Sequence, residues 1–217
     1  EGVRNPDLKA FDYFLFHAPY CKLVQKSFGR LFYNDFIRNP ENPIFNSVQQ
    51  FRDMNAEEAL RSKDVEKAFI AISKADYAKK VAPTLLASTQ VGNMYCASLY
   101  ACLASALSNI PVDELVGKRL GLFSYGSGLA STLFSFRIIK PITEIHKVLD
   151  ISSRLESRVE VPPEKFVETL HLREKTHGKK DFKVTGDGSP IKDALFKGTY
   201  YLEHIDSKWR RTYKRYI

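Results

Sequence analysis

The stretch LFHAPYCKLVQKSFGRLF, residues 15–32, joins an apolar segment to a helix through a histidine and a proline. The aromatic and apolar run at 11–19 predicts a buried strand that Pro19 ends. A strand that only builds a core needs no imidazole at its tip. His17 is therefore a candidate functional residue, although a histidine that merely finds a partner at a strand end is the plainer alternative.

The helix that follows, predicted over residues 20–37, carries a basic stripe near its start. Lys22, Lys26 and Arg30 recur at four-residue spacing and so lie on one side of the helix. Together with His17, the two lysines suit a site that handles an acylated and anionic ligand. Taken alone, such a stripe is more often a solvated helix face.

The middle of the chain alternates helices with turns. Residues 44–82 are rich in helix formers and predict helices on the surface. Residues 84–110 predict a short strand, a turn at Gly92-Asn93 and a buried helix rich in small side chains. Residues 118–139 predict two strands joined by a glycine-rich turn, which is a hairpin.

The character of the sequence changes after residue 140. We predict a core at residues 10–140 and an appended region at 141–217, made of helices, a loop and a final strand in GTYYLEHI. The order of strands and helices predicts an α/β layered fold, in which a mixed sheet carries a buried helix and flanking helices.

The composition limits the classes of function. Lys and Arg number 33 against 25 Asp and Glu, a net charge of +8. Only the tail SKWRRTYKRYI concentrates this charge, and zinc-finger, RNP and helix-turn-helix patterns are missing, so we expect no nucleic acid partner. No apolar run approaches the roughly 20 residues of a membrane span. Three widely spaced cysteines favour reduced thiols inside a cell.

Three polar turns lie where the predicted elements end: at His17, at Gly92-Asn93 and at Gly126-Ser127-Gly128. Ligand sites often gather at such ends, so we expect the three turns to converge. Asn93 is also a common turn or helix-capping residue. The histidines and cysteines lack metal-ligand spacing, and no metal is expected.

Long segments of the chain resemble hydroxymethylglutaryl-CoA synthases of the eukaryotic type. These are FHAPYCKLVQKSFGRLFYNDF (16–36), STQVGNMYCASLYACLAS (88–105) and GKRLGLFSYGSGLASTLFSFR (117–137), and the C-terminal GTYYLEHIDSKWRRTYKR (198–215) looks like the ending of that family. The segments occur in the order of the family, and the resemblance extends over almost the whole of residues 1–217, which implies the C-terminal domain of such an enzyme.

The resemblance implies a thiolase-like fold and an acyltransferase. The family condenses acetyl-CoA with acetoacetyl-CoA to give hydroxymethylglutaryl-CoA and free CoA, on the way to mevalonate, and so to isoprenoids and sterols, or to ketone bodies. CoA thioesters are then substrates, and no cofactor is expected.

The same resemblance assigns the site residues. It implies that His17 is the active-site histidine, which positions and polarises the acetoacetyl group. Lys22 and Lys26 match lysines that contact CoA. Asn93 matches an amide of the acyl pocket, and Ser127 matches a serine that lines it.

By resemblance, the nucleophilic cysteine and the general-base glutamate belong to an N-terminal half that this sequence lacks. Cys21, Cys96 and Cys102 do not fall at the place of the nucleophile, so we expect the isolated chain to be inactive. The expected partner is that N-terminal half, in a homodimer of the full enzyme. A non-catalytic CoA-binding or interaction module is the alternative. The expected compartment is the cytoplasm, with the mitochondrial matrix as the alternative.

Overall fold

A computed structural model describes residues 7–126, 129–184 and 195–217. The chain divides into two compact units, Glu1–Arg158 and Val159–Ile217. The helices are α1 (Cys21–Arg38), α2 (Ala56–Arg61), α3 (Lys63–Ile72), α4 (Lys74–Lys80), α5 (Leu86–Val91), α6 (Ser98–Asn109), α7 (Val112–Leu115), α8 (Thr143–Leu149), α9 (Ile151–Glu156) and α10 (Pro163–Thr176). The strands are β1 (Tyr13–Phe16), β2 (Arg119–Tyr125), β3 (Ser131–Arg137), β4 (Phe182–Lys183), β5 (Tyr200–Ile205) and β6 (Arg211–Arg215). Short 3-10 helices occur at Leu8–Ala10, Pro43–Phe51, Ala82–Thr84 and Tyr95–Ala97.

The first unit is built on a mixed sheet in the order β1-β2-β3. β1 runs parallel to β2, with Phe16 opposite Phe123. β2 and β3 are antiparallel, with Arg119 opposite Arg137. The predicted hairpin and mixed sheet are therefore present, and helices connect β1 to β2, as a parallel pair requires.

β1 is short but covered on both faces, since Phe14, Leu15 and Phe16 are all buried. This explains why its sequence is a continuous apolar run without alternation. Its register is fixed at the start by Asp12, whose carboxylate accepts a hydrogen bond of 2.8 Å from the backbone N–H of Arg119. Burial acts against the ionised carboxylate, yet this bond and the neighbouring Lys118 ammonium leave the pKa of Asp12 below its ordinary value.

α1 contributes a stripe of buried side chains at four-residue spacing: Val24, Phe28, Phe32 and Phe36. The helix packs on α3, where the ring of Phe36 lies 5.4 Å from that of Phe69. The buried side chains thus recur with the period of a helix, and aromatic packing holds α1 against α3.

The strand predicted at the start of residues 84–110 is wrong, because these residues form α5. Two contacts with α6 decide the outcome. The N–H of Ala87 donates to the hydroxyl of Ser105 (3.0 Å), and the hydroxyl of Ser88 lies 3.3 Å from the thiol of Cys102. α6 itself is buried on one face only, since Tyr100 is 63% exposed.

α8 and α9 pack on α6 and so belong to the first unit. The ring Nδ1 of His146 lies 2.9 Å from the carbonyl of Leu107, and the N–H of Ile151 donates to Ser108. By contacts, the first unit therefore extends to Arg158 and past the predicted end of the core at residue 140. The domain assignment itself stays a prediction.

The second unit contains α10 and an antiparallel sheet in the order β4-β5-β6. β5 lies within the predicted strand at 198–205, but this strand is not the final one, because the basic tail after it forms β6, with Tyr200 opposite Arg215. Of the residues that the structure describes in this unit, only Ile205 is buried.

Candidate active site

His17 follows directly on β1 and is partly buried. Its backbone N–H continues the parallel ladder by donating to the carbonyl of Phe123 (2.9 Å). Its imidazole meets the ring of Tyr125 edge to face, with 5.3 Å between centroids. Burial lowers the pKa of His17, so the neutral imidazole predominates at neutral pH.

The residue after His17 is anchored to α6. The N–H of Ala18 donates to the side-chain oxygen of Ser98 over 2.9 Å, and both residues are buried. Ser98 is the first residue of α6. The end of β1, the end of β2 and the start of α6 therefore meet around the imidazole.

Asn93 lies in the loop that leads into α6 and is exposed. Its Oδ1 accepts a hydrogen bond of 2.9 Å from the N–H of Tyr95. Gly92 and Tyr95 both have positive φ, +84° and +50°, so this is a tight turn in which Asn93 uses its oxygen locally. Asn93 therefore acts as a turn residue in this structure. A role of Asn93 in binding a ligand stays a prediction.

Ser127 lies outside the described residues. Among the described residues, Tyr125 at the end of β2 contacts the imidazole of His17. The N–H of Gly126 donates to the carbonyl of Ala130 (2.9 Å) and closes the hairpin on the far side. The end of β2 and His17 are therefore neighbours, and the convergence of the three turns stays a prediction.

The basic stripe of α1 changes character along its length. Lys22 is exposed, and its ammonium donates to Gln25. Lys26 pairs with Glu66 of α3 at 3.1 Å, with both side chains about one-third exposed. Arg30 donates to the carbonyl of Ala59 (3.0 Å) and so serves packing. Lys22 is the member of the stripe most available to an anionic ligand.

The N-terminus of α1 adds to this preference. Its N-cap, Tyr20, makes no side-chain cap, and no acidic residue occurs in the first turn. The N–H groups at a helix start carry partial positive charge and attract anions. With Lys22 in the same turn, this end of α1 presents positive potential close in sequence to His17.

The three cysteines lie in different environments. Cys102 is fully buried, and burial raises the pKa of its thiol, which therefore stays neutral. Cys21 is partly exposed, with its sulfur 3.6 Å from the hydroxyl of Thr89.

Across the described ranges, His, Cys, Asp and Glu side chains form no group of three or more that could hold a metal ion. None of the helices that the structure describes has both the length and the apolar character of a bilayer span.

A cavity of about 550 Å³ lies along the C-terminal half of α1, with Phe28 and Phe32 in its wall. Two of its polar groups already serve the fold. Asp35 accepts the N–H of Leu8 (2.9 Å), and Lys80 donates to backbone carbonyls. His17 and the lysine pair do not line it. The chemistry therefore favours the end of β1 over this cavity.

The contribution of Ser98 and Tyr125 to the surroundings of His17 does not emerge from the sequence. Ser98 counts there only as one of the small residues of a buried helix. Its partner is 80 positions away, and no local pattern encodes such a contact. Tyr125 carries a weak signal, because it precedes the glycine-rich turn directly.

Known proteins resemble almost the whole of this chain. The sequence profile described as hydroxymethylglutaryl-coenzyme A synthase, C terminal, matches residues 2–216. The chain belongs to the hydroxymethylglutaryl-CoA synthase family.

Relatives in this family share nearly half of their residues with the chain. Hydroxymethylglutaryl-CoA synthase erg13B of Aspergillus fumigatus is 47% identical over 218 residues, 98% of this chain and 46% of the relative. The hydroxymethylglutaryl-CoA synthase of Saccharomyces cerevisiae is 45% identical over 95% of this chain and 41% of its own length. The mitochondrial enzyme of Bos taurus is 42% identical over 99% and 44%. The chain thus spans about half the length of the curated relatives it matches.

Solved structures of HMG synthases share the fold. The HMG synthase of the curacin biosynthetic pathway, in complex with acetyl donor-ACP, superposes with a TM-score of 0.70 at 25% identity, over 98% of this chain and 45% of that one. MvaS in complex with 3-hydroxy-3-methylglutaryl coenzyme A gives 0.66 at 25% identity, over 99% and 44%. The predicted thiolase-like layered α/β fold is confirmed.

Proposed function

We propose that this chain is the C-terminal half of an acyltransferase that condenses acetyl-CoA with acetoacetyl-CoA to hydroxymethylglutaryl-CoA and free CoA. The observation that carries the proposal is the position of His17. It lies where β1, β2 and the start of α6 meet, directly before a helix that begins with an uncapped N-terminus and Lys22. The family of the chain and a solved relative bound to hydroxymethylglutaryl-CoA support it.

The chemistry needs a group at the ketone oxygen. When the carbon nucleophile derived from the acetyl thioester attacks the keto carbon of acetoacetyl-CoA, the carbonyl electron pair moves to oxygen. An imidazole N–H can hydrogen-bond this oxygen and pass it a proton. Because burial favours neutral His17, we assign it first a hydrogen-bonding role that polarises the ketone. Asn93 and Ser127 are proposed as further donors in the acyl pocket.

The CoA end of the substrate requires positive charge. Lys22 and Lys26 supply it on consecutive turns of α1, and the start of that helix adds its N–H groups. Because Lys26 shares its charge with Glu66, Lys22 is expected to contribute more to CoA binding. A single short segment then handles both ends of one substrate.

The remaining machinery lies outside this chain in the proposal. The acetyl-accepting cysteine and the base come from an N-terminal half, and the complete enzyme is a homodimer. The compartment stays a prediction, cytoplasmic with the mitochondrial matrix as the alternative, since one relative is named mitochondrial.

The test uses the complete protein with His17→Ala. Acetyl-enzyme formation from acetyl-CoA is expected to continue, and condensation is expected to fall by 100-fold or more, on the order of one lost acid–base or oxyanion group. His171→Ala, at an exposed histidine of α10, is the matched control and should behave as wild type. Equal loss of both steps, or of neither, contradicts the assigned role. CoA binding without turnover by the wild-type complete protein favours the non-catalytic alternative.

A further inference from the structure

The loop between β1 and α1 is held at two consecutive backbone N–H groups. The N–H of His17 bonds to Phe123 of β2, and the N–H of Ala18 bonds to the hydroxyl of Ser98. Ser98 is 0% exposed and Ala18 is 1% exposed. A buried N–H that loses its partner is left unsatisfied, so the chain would have to move to find another.

The two anchors differ in what they constrain. The bond to Phe123 continues the ladder between β1 and β2, and it fixes the position of His17 along β2. The bond to Ser98 connects the His17 loop to the start of α6, and the loop before α6 contains Asn93. The distance between the imidazole and this loop therefore depends on the Ser98 hydroxyl.

We propose that Ser98 is a positioning residue for the condensation, because its hydroxyl holds the loop of His17 at the correct distance from the loop of Asn93. Ser98 touches no reacting atom, and its effect passes through Ala18 to the imidazole. This inference rests on the proposed function.

The same helix offers a matched control. Ser105 is also 0% exposed, and its hydroxyl also accepts a buried backbone N–H, that of Ala87, over 3.0 Å. The bond of Ser105 holds α5, whereas that of Ser98 holds the His17 loop. A purely structural role predicts the same behaviour for both serines, and the positioning role predicts a difference.

The experiment measures both half-reactions of the complete protein for Ser98→Ala, Ser105→Ala and Ser98→Thr. For Ser98→Ala we expect acetyl-enzyme formation near the wild-type rate, and a condensation kcat lowered about 10- to 100-fold, as for a misplaced catalytic group. Its KM for acetoacetyl-CoA should change less than its kcat. Ser98→Thr keeps the hydroxyl and should recover most of the rate, and Ser105→Ala should keep a wild-type kcat per folded molecule.

The outcomes separate the two proposals. If the wild type condenses and Ser98→Ala matches it, or if Ser105→Ala loses as much kcat, the role of Ser98 is overturned and the proposed function stands. If the wild-type complete protein does not condense, the proposed function fails and this inference fails with it. Should Ser98→Ala not fold, Ser98→Cys fills the site with a weak acceptor. The condensation kcat of Ser98→Cys is then expected to fall, but by less than that expected for Ser98→Ala.

Discussion

The two compact units hold their shape by different means. The first buries large rings, among them Phe28 and Phe36, both 0% exposed. In the described part of the second, Ile205 alone is buried, and Phe166 of α10 remains 64% exposed. Removing apolar surface from water contributes most of the free energy of folding. The first unit is therefore held by its core, and the second by its strand ladder and surface pairs.

The same contrast governs the titrating groups. In the first unit burial is the leading cause: it raises the pKa of Tyr77 to about 12 and lowers the pKa values of His17 and Lys80. In the second unit hydrogen bonds lead: a bond to Glu203 raises the pKa of Lys214, and one from the backbone of Arg210 lowers that of Asp206. Chemistry that needs a burial-shifted group therefore belongs to the first unit, where His17 lies.

The largest contrast is expected from truncating one phenylalanine in each unit. Phe36 packs its ring 5.4 Å from both Phe45 and Phe69, so Phe36→Ala should lower the free energy of unfolding by about 3–5 kcal/mol. Phe166→Ala should lower it by less than about 0.5 kcal/mol. Urea denaturation of the 217-residue chain, followed by circular dichroism, measures both. Equal losses would show that the second unit is packed as tightly as the first.

A smaller effect is expected from adding a methyl group to the sheet. A Cβ at Gly121 would lie 2.8 Å from the Phe14 ring and 2.9 Å from the Phe11 ring, and Phe14 is itself packed between aromatic neighbours. Gly121→Ala should therefore cost about 1–3 kcal/mol of the free energy of unfolding. Gly126→Ala is the control, since a Cβ there meets nothing within 4 Å. If Gly121→Ala leaves the free energy of unfolding unchanged, the rings of Phe11 and Phe14 must be able to move aside for the methyl group.

The sequence predicts the parts of this fold that follow from local patterns. The apolar run of β1, the helical period of α1 and the glycine-rich turn of the hairpin are each contained in one short segment. His17 and the lysine stripe can likewise be selected locally, because an imidazole and a basic stripe are unusual next to a core strand. Their assigned roles come from the family resemblance and not from these patterns.

Other parts depend on distant partners. The apolar run before Gly92 fits a short strand or a helix equally well, and the packing of Ala87 against Ser105 of α6 decides for a helix. The basic tail gives no alternation of buried side chains, because every residue of β6 is exposed. The link from Ser98 to Ala18 spans 80 positions, so neither residue signals it.

The contrast in titration predicts a modest acid sensitivity in the first unit. Burial holds the pKa of folded His17 below its ordinary value of 6.5, so the unfolded chain takes up the proton first. The contribution of His17 to stability is therefore complete above pH 6.5 and is lost as pH falls through the lowered pKa. The urea midpoint should drop less between about pH 7.5 and pH 5 in His17→Gln than in wild type. His171→Gln, at an exposed site, should drop as wild type does.

The smallest effect is expected in the turn between β5 and β6, where pairing replaces burial. Asp206 accepts bonds from the backbone N–H of Arg210 (3.0 Å), the Nε of Arg210 (2.7 Å) and the backbone N–H of Lys208 (2.8 Å). Because the pKa of Asp206 is held below 3.8, the carboxylate stabilises the turn above that pH, and this contribution is lost as pH falls through the lowered pKa.

The single tryptophan, Trp209, lies in this turn and donates to the carbonyl of Gly178, so its fluorescence reports the second unit. Asp206→Asn should remove most of the acid-induced change in this signal, and added salt should weaken the change in wild type, because exposed charges are screened. An acid transition of Trp209 that persists in Asp206→Asn and ignores salt would mean that the second unit, like the first, is governed by buried groups.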